Sequence, residues 1–131
     1  MYNPCYNYRT NIFSGGYFMA KESFIEKFAR ENELVDERNI ITCADITCSN
    51  GNSGRAWVFL KGSNVHLYEC VGFNIGDHVE TIDLKGITDF KSCKVILLHY
   101  MKFVSNGCNY KFTGFTQPSK IIAAFVESSN H

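Results

Sequence analysis

Four histidines are the residues of this 131-residue chain best suited to metal binding or general acid–base chemistry. They are His66, His78, His99 and His131. No two of them have the three- or four-residue spacing that brings two metal ligands to one face of a helix. His66 and His78 could meet on neighbouring strands. With Cys70 or Glu80 nearby, a metal site there is the alternative to ordinary strand histidines.

Six cysteines are the other candidates for chemistry. They are Cys5, Cys43, Cys48, Cys70, Cys93 and Cys108. No Cys-x-x-Cys pair occurs, so neither a zinc knuckle nor a thioredoxin-type site is indicated. The first residues lack the basic start and apolar block of a secretory signal, so we expect reduced thiols that pack as small apolar side chains. Cys108 and His99 could pair across a hairpin, but no residue that would activate the thiol is evident.

The remaining polar residues form no recognisable catalytic motif. The segment Gly51–Gly54 lacks the lysine and the following helix of a phosphate-binding P-loop. Glu69, Glu80 and Asp83 have no spacing that indicates acid–base catalysis. We therefore expect no catalytic residue, no metal and no cofactor. The alternative is a small enzyme or metal binder that uses a histidine or cysteine inside its fold.

Composition excludes two classes of protein. The chain has 13 basic and 13 acidic residues, whereas proteins that bind nucleic acid generally carry a basic excess. No apolar run approaches the roughly 20 residues of a membrane-spanning helix. The length suits one domain with a real core. We expect no nucleic-acid partner and no transmembrane segment.

The N-terminal region divides into two parts. Residues 1–19 have no period and form an irregular extension, whereas residues 20–34 have the apolar stripe of an amphipathic helix. Codons for Gly15-Gly16 could encode a ribosome-binding site upstream of Met19. One hypothesis is therefore that Met19 is the natural start and that the preceding residues are a translated leader. The alternative is an arm that packs its tyrosines on the domain or on a neighbour. Residues 20–131 are predicted to form a single domain.

Seven short strands and a closing helix follow. The predicted strands are Ile40–Thr47, Arg55–Lys61, Val65–Val71, His78–Leu84, Ile87–Cys93, Val95–Val104 and Cys108–Phe115. Asn106-Gly107 predicts a type I′ hairpin turn between the last two strands, because that turn needs positive φ at both central residues. Pro118 suits the first turn of a helix. Ile121, Ile122, Phe125 and Val126 give that helix one apolar stripe.

This order resembles the pleckstrin-homology-like (PH-like) superfold, in particular its bacterial PH-like and GRAM-like domains. Trp57–Leu60 and Val65–Tyr68 look like the central strand pair of the family. Ile82–Phe90 looks like the family's apolar-x-apolar-x-x-Ile-x-x-apolar segment. Tyr110–Phe112, followed by Phe115 and the helix Ile121–Val126, looks like its closing hairpin and helix. The resemblance implies a mainly β fold, a seven-strand PH-like antiparallel barrel capped by a C-terminal helix, here with an extra N-terminal helix.

The family implies a binding scaffold rather than an enzyme. We predict a non-enzymatic binding or self-assembly module of the bacterial cytoplasm, with a protein as its partner. That protein is either another chain or copies of the same chain joined through the N-terminal segment or an exposed strand edge. The alternative is binding of an anionic lipid or headgroup through lysines. Lipid-binding members carry several cations around their first hairpin loop, where this chain has Arg55 and, at the end of the strand, Lys61.

Eight residues are the candidate contacts for a ligand or partner. They are Arg55, Lys61, Phe73, Ile75, Lys91, Lys94, Lys102 and Lys111. Phe73 and Ile75 are predicted to form the tip of a loop before the fourth strand. Exposed apolar residues on a loop can enter a partner or a membrane interface, and folding back over the barrel is the alternative.

The four later lysines are predicted to lie near the last two hairpins. Lys91 and Lys94 should flank the turn before the sixth strand, and Lys102 and Lys111 should face each other across the last hairpin. Such a set would make an anionic-ligand patch; scattered solubilising lysines are the alternative.

Overall fold

A computed structural model describes residues 22–49, 51 and 53–129 of the chain. The predicted extension 1–19, the Met19 start, Cys5 and His131 lie outside these residues. The chain contains two compact units, Met1–Glu33 and Leu34–His131. No helix within the described residues is long and apolar enough to cross a membrane.

The described part of the first unit contains helix α1, Phe24–Glu31. Ser23 starts it with a capping box: the Ser23 hydroxyl accepts from the Glu26 N–H at 3.2 Å, and the Glu26 carboxylate accepts from the Ser23 N–H at 3.0 Å. Asn32 ends it, and Glu33 follows at φ 54°. The predicted helix 20–34 was therefore too long at its C-terminal end. Arg30 donates to both carboxylate oxygens of Glu22 at 2.8 Å.

The second unit contains one antiparallel sheet of seven strands. They are β1 Ile40–Cys48, β2 Ser53–Lys61, β3 Asn64–Val71, β4 Asn74–Asp83, β5 Thr88–Val95, β6 Leu98–Ser105 and β7 Cys108–Thr113. Their order in the sheet is β4-β3-β2-β1-β7-β6-β5, so β4 and β5 are the edges. A short 3-10 turn, Leu84–Gly86, separates β4 from β5, and helix α2, Pro118–Ser129, follows the sheet.

Buried residues of β1 to β4, β6 and β7 and one stripe of α2 form the core. Phe103 lies at its centre, with ring centroids 5.3 Å from Tyr110, 5.5 Å from Phe112 and 5.9 Å from Phe125. The buried residues of α2 are Ile121, Ala124, Phe125 and Ser128. Val126, predicted to belong to this stripe, is 39% exposed. The buried residues of α2 are spaced three and four positions apart along the helix, as one face of a helix requires. Ala124 is therefore buried on this face, and Val126 is not.

The hairpin between β6 and β7 has the predicted turn. Asn106 and Gly107 have φ values of 51° and 77°, as a type I′ turn requires. Ser105 pairs with Cys108 directly across it. The register of the whole hairpin follows from this turn, since each further step from it pairs one residue of β6 with one of β7.

The hairpin between β5 and β6 differs from its prediction. Val95 belongs to β5 and pairs with Leu98, so Ile96-Leu97 is the turn. The prediction of one strand over Val95–Val104 was therefore wrong. The four apolar residues contain no glycine or asparagine that would have indicated a turn.

A polar network fixes the turn between β2 and β3. The Asp36 carboxylate accepts from the Gly62 N–H at 2.8 Å and from Arg38 Nη2 at 2.7 Å. Arg38 Nη2 also donates to the Gly62 carbonyl at 2.8 Å. The Arg38 guanidinium holds the pKa of Asp36 far below its usual range. This network ties the segment before β1 to the far end of β2.

Candidate functional site

A cleft at one end of the sheet has an acidic lining; we call it the acidic cleft. Its volume is about 320 Å³, and Arg55, Glu69, Glu80 and Tyr110 are among the residues that line it. The Tyr110 hydroxyl donates a hydrogen bond to the Glu80 carboxylate. Burial and this carboxylate raise the pKa of Tyr110. Arg55 lies 3.2 Å from Asp45, which offsets its charge. Two carboxylates and one paired arginine make the cleft a poor site for an anionic headgroup.

Three lysines form a row across the neighbouring strands β5, β6 and β7, on the outer face of the sheet. Lys91 pairs with Lys102, and Lys102 pairs with Lys111; we call these residues the lysine row. The predicted pairing of Lys102 with Lys111 is confirmed. Lys102 Nζ lies 5.8 Å and Lys111 Nζ 5.0 Å from the centre of the Tyr100 ring. That ring lies on the same face and attracts both ammonium groups.

The lysine row borders a groove of about 410 Å³, which we call the lysine groove. Its other polar lining residues are Thr47, Ser49, Asp89 and Asn109. Within the described residues, no ammonium group of the row lies within 4.0 Å of a carboxylate oxygen. Residues 90–126 contain five lysines and no aspartate or glutamate. Although the chain as a whole has balanced charge, strands β5 to β7 are therefore strongly cationic.

The other predicted basic contacts lie apart from this row. Arg55 is near the start of β2 and Lys61 is its last residue, so the two are about 20 Å apart. Lys94 lies in β5 and pairs with His99, on the face opposite to Lys91. The prediction that Lys91 and Lys94 flank a turn was wrong, because β5 continues to Val95.

The predicted apolar loop tip is only partly correct. Phe73 lies in the turn between β3 and β4 and is 89% exposed. Ile75 is a residue of β4 that pairs with Cys70, so it does not lie at the tip. The strand begins at Asn74, four residues earlier than His78, and leaves a two-residue turn. Gly72 at φ 63° permits this tight turn.

The longest run of exposed large apolar residues in the described part of the chain was missed by the sequence interpretation. Val95–Leu98, which we call the apolar tip, closes the β5–β6 hairpin. Ile96 and Leu97 are each 86% exposed, and Val95 and Leu98 are 52% and 49% exposed. Ile96 has φ 60°, a conformation that is strained for a β-branched residue. No glycine, asparagine or proline marks this turn, so the sequence carried no turn signal at this position.

The apolar tip continues into an exposed edge. No described strand pairs with the outer side of β5, and all its residues except Phe90 are exposed. The lysine row lies four residue steps, about 13 Å, behind the Val95–Leu98 pair. The tip and the lysine row are therefore separate features of one hairpin.

Histidines and thiols do not converge in the described residues. His66 Nδ1 and His78 Nε2 lie 3.2 and 2.9 Å from the Thr81 hydroxyl, so the predicted approach of these two histidines is confirmed. Burial, and then the charge of His78, lower the pKa of His66. No group of three or more potential metal ligands occurs within the described part of the chain. His99 and Cys108 lie at opposite ends of the β6–β7 hairpin, so they do not form the suggested pair.

The cysteines of the described ranges form no disulfide, and their exposure varies. Cys48 is buried, Cys93 is exposed, and the others are half-buried. Burial, followed by a hydrogen bond to Cys70, raises the pKa of Cys43 to about 11. A thiol with so high a pKa is protonated and unreactive at neutral pH.

No protein-family model matches the chain, and no curated protein matches it. Several solved structures match the chain in fold. A structure that describes the structural role of the PH and C1 domains of the Vav1 exchange factor has a TM-score of 0.52 at 13% identity, over 70% of this chain and 25% of that chain. Vav1 inhibited by an allosteric inhibitor has a TM-score of 0.56 at 12% identity, over 79% of this chain and 32% of that one.

The apo structure of an activated Vav1 truncation has a TM-score of 0.55 at 12% identity, over 81% of this chain and 32% of that chain. The chain thus spans about a quarter to a third of the solved chains it matches. Bacterial origin and a GRAM-like subfamily remain predictions. The likeness and the order of elements confirm the predicted fold: a mainly β, PH-like fold with seven antiparallel strands, a C-terminal helix and an N-terminal helix.

Proposed function

We propose that this protein is a non-catalytic binding module that pairs an extended segment of a partner protein with edge strand β5. The apolar tip anchors that segment. The observation that supports the proposal most is Ile96, a β-branched residue at φ 60° and 86% exposed. A turn residue such as glycine would avoid both the strain and the exposure. Strain retained at an exposed position is typical of a functional site.

Burial of the apolar tip would provide the binding energy. Covering the side chains of Ile96 and Leu97 contributes roughly 1.5–3 kcal/mol each. Since both are 86% exposed in the free chain, nearly all of that energy is still available to a partner. A partner needs an apolar pocket or side chains that close over the two residues.

The exposed edge of β5 favours a protein over other partners. An edge strand presents unpaired N–H and C=O groups, and an added strand satisfies them. A bilayer interface would cover the apolar tip but would leave those backbone groups to water. The tip and the edge are continuous along Thr88–Leu98, so one extended segment can contact both.

Charge on the edge indicates which protein segment fits. Lys91 and Lys94 project from opposite faces of β5, and residues 90–126 carry no acidic side chain. Two copies paired edge to edge would bring lysines together, which is destabilising. The segment that fits best is therefore acidic and belongs to another protein, and self-assembly through this edge is disfavoured. A cytoplasmic location, where thiols stay reduced, remains our prediction.

A peptide-display selection tests this proposal. Random peptides are selected against the full chain, and we expect enrichment of extended peptides that combine acidic and apolar residues. The variant Ile96→Gly/Leu97→Ser should bind them at least about tenfold more weakly, because it removes both apolar anchors. The matched control is Phe73→Ser, which removes an apolar side chain of similar exposure from the turn between β3 and β4.

Backbone NMR of the peptide complex locates the contact. We expect the amide signals of β5 to shift and to become protected from hydrogen exchange, while those of β4, the other edge, stay unchanged. No enrichment, or enriched peptides that bind the tip variant as well as the wild type, would contradict the proposal.

A further inference from the structure

A bulge in β4 brings two histidines to one face of the sheet. His66 pairs with Thr81, and Tyr68 pairs with His78. Two steps along β3 therefore match three steps along β4, which leaves one residue of β4 extra in a β-bulge. Because side chains alternate along a strand, His78 would lie on the face opposite to Thr81 without this bulge. Bulges that redirect a side chain are common next to functional sites.

The two imidazole rings converge on one hydroxyl group. His66 Nδ1 lies 3.2 Å and His78 Nε2 lies 2.9 Å from the Thr81 hydroxyl oxygen. That hydroxyl has a single proton, so it donates to one ring and accepts an N–H from the other. A neutral imidazole can carry its proton on either nitrogen, so both rings can direct a lone pair at the same point. Two metal-ligating nitrogens thus face one position.

Only a small movement separates this arrangement from a metal site. Two nitrogens bound to a tetrahedral Zn²⁺ at about 2.1 Å lie roughly 3.4 Å apart. The two facing nitrogens lie within about 6 Å of each other, since both are hydrogen-bonded to one oxygen. His78 is exposed, whereas His66 is half-buried. An edge-to-face contact with Tyr68, with centroids 5.1 Å apart, keeps the His78 ring beside β3. Rotation of the exposed ring can therefore close the gap.

We propose that His66 and His78 bind a divalent transition-metal ion of the Zn²⁺, Ni²⁺ or Cu²⁺ class, with water in the remaining coordination positions. These ions favour imidazole nitrogen, whereas Mg²⁺ and Ca²⁺ favour oxygen. Glu80 is not a further ligand, because it lies on the opposite face and bonds to Tyr110. Two side chains suffice at an exposed surface, where water completes the coordination. An ion held by both strands links β3 to β4 and stabilises the folded hairpin.

The metal site is independent of the partner proposed for the apolar tip. Strands β3 and β4 are at one end of the strand order, and β5 is at the other. The variant Ile96→Gly/Leu97→Ser should therefore bind the ion as the wild type does. Failure of either proposal leaves the other standing.

Calorimetric titration of the reduced full chain with Zn²⁺ tests the site, with Mg²⁺ as the ion that should not bind. His66→Gln and His78→Gln should each weaken Zn²⁺ binding at least about tenfold, because each removes one of the two protein ligands. The matched control is His99→Gln in β6, for which we expect a change of less than about twofold. Melting temperatures without metal separate lost binding from lost folding. His78 is exposed, so its variant should fold even if glutamine at the half-buried His66 is not tolerated.

NMR of the imidazole rings identifies the ligands directly. Zn²⁺ should shift the ring nitrogen signals of His66 and His78 and leave those of His99 unchanged. Thr81→Val keeps the β-branched shape and removes the hydroxyl, so it should bind Zn²⁺ at least as tightly as the wild type. The proposal is overturned if Zn²⁺ does not bind, if it leaves the signals of His66 and His78 unmoved, or if His78→Gln binds it as the wild type does.

Discussion

Strand β6 has a two-residue turn at each end, and the two turns follow opposite rules. Asn106-Gly107 places both residues at positive φ, where asparagine and glycine are the favoured types. Ile96-Leu97 places isoleucine at φ 60° and leaves two large apolar side chains in water. The first turn is locally consistent with the fold. The second is strained and exposes apolar side chains to water, which is the pattern expected where a sequence serves binding at the expense of stability.

Replacing glycine by isoleucine at the β6–β7 turn should produce the largest change in the free energy of unfolding. Gly107→Ile puts a β-branched residue at φ 77° and should destabilise the fold by about 2 kcal/mol. Urea unfolding followed by fluorescence measures this loss. Asn106→Gly is the control, because glycine adopts the same conformation without strain. An unchanged midpoint for Gly107→Ile would show that the two turns do not differ as described.

The turn between β2 and β3 is a second locally supported turn, and its support depends on pH. The pKa of Asp36 is lowered, chiefly by Arg38, so its ionised form stabilises the folded state. This contribution is present above the unfolded pKa of about 4 and is lost as pH falls below it. Asp36→Asn should cost about 1–2 kcal/mol at neutral pH and reduce the loss of stability in acid.

The free energy of unfolding of the wild type and of Asp36→Asn is measured at neutral and at acid pH. Glu37→Gln serves as the control, since it removes a neighbouring carboxylate outside the hydrogen-bond network. If wild type and Asp36→Asn lose equal stability in acid, then Asp36 does not support this turn.

These turns also show how far the sequence predicts the structure. Asn106-Gly107 has strong local preferences, and it fixes the register of β6 and β7; for that reason the pairing of Lys102 with Lys111 could be predicted. The β5–β6 turn has no such signal, so the end of β5 was placed too early. Lys91 and Lys94 were then expected to flank the turn, and the pairing of Lys91 with Lys102 was not predicted. The lysine row depends on a register that only the folded hairpin reveals.

The strained turn makes the opposite prediction to Gly107→Ile. Ile96→Gly relieves the strain at φ 60°, and after the entropy cost of glycine in the unfolded chain we expect a gain of about 1 kcal/mol. Leu97→Gly is the matched control. Leu97 is equally exposed but has no positive φ, so glycine there should cost about 0.5–1 kcal/mol. Thermal unfolding of both variants measures the difference, and equal signs for the two would refute the strain.

The smallest expected effect on the free energy of unfolding concerns the lysine row. It tests whether repulsion within the row lowers the stability of the fold, as strain in the apolar tip does. Lys102→Gln removes two cross-strand repulsions and should stabilise the fold by a few tenths of a kcal/mol at low salt. Added salt should erase the gain, because exposed charges are screened. Lys120→Gln, at an exposed position of helix α2, should show no such dependence. A gain that persists in high salt would mean that packing, rather than charge, sets the cost of the row.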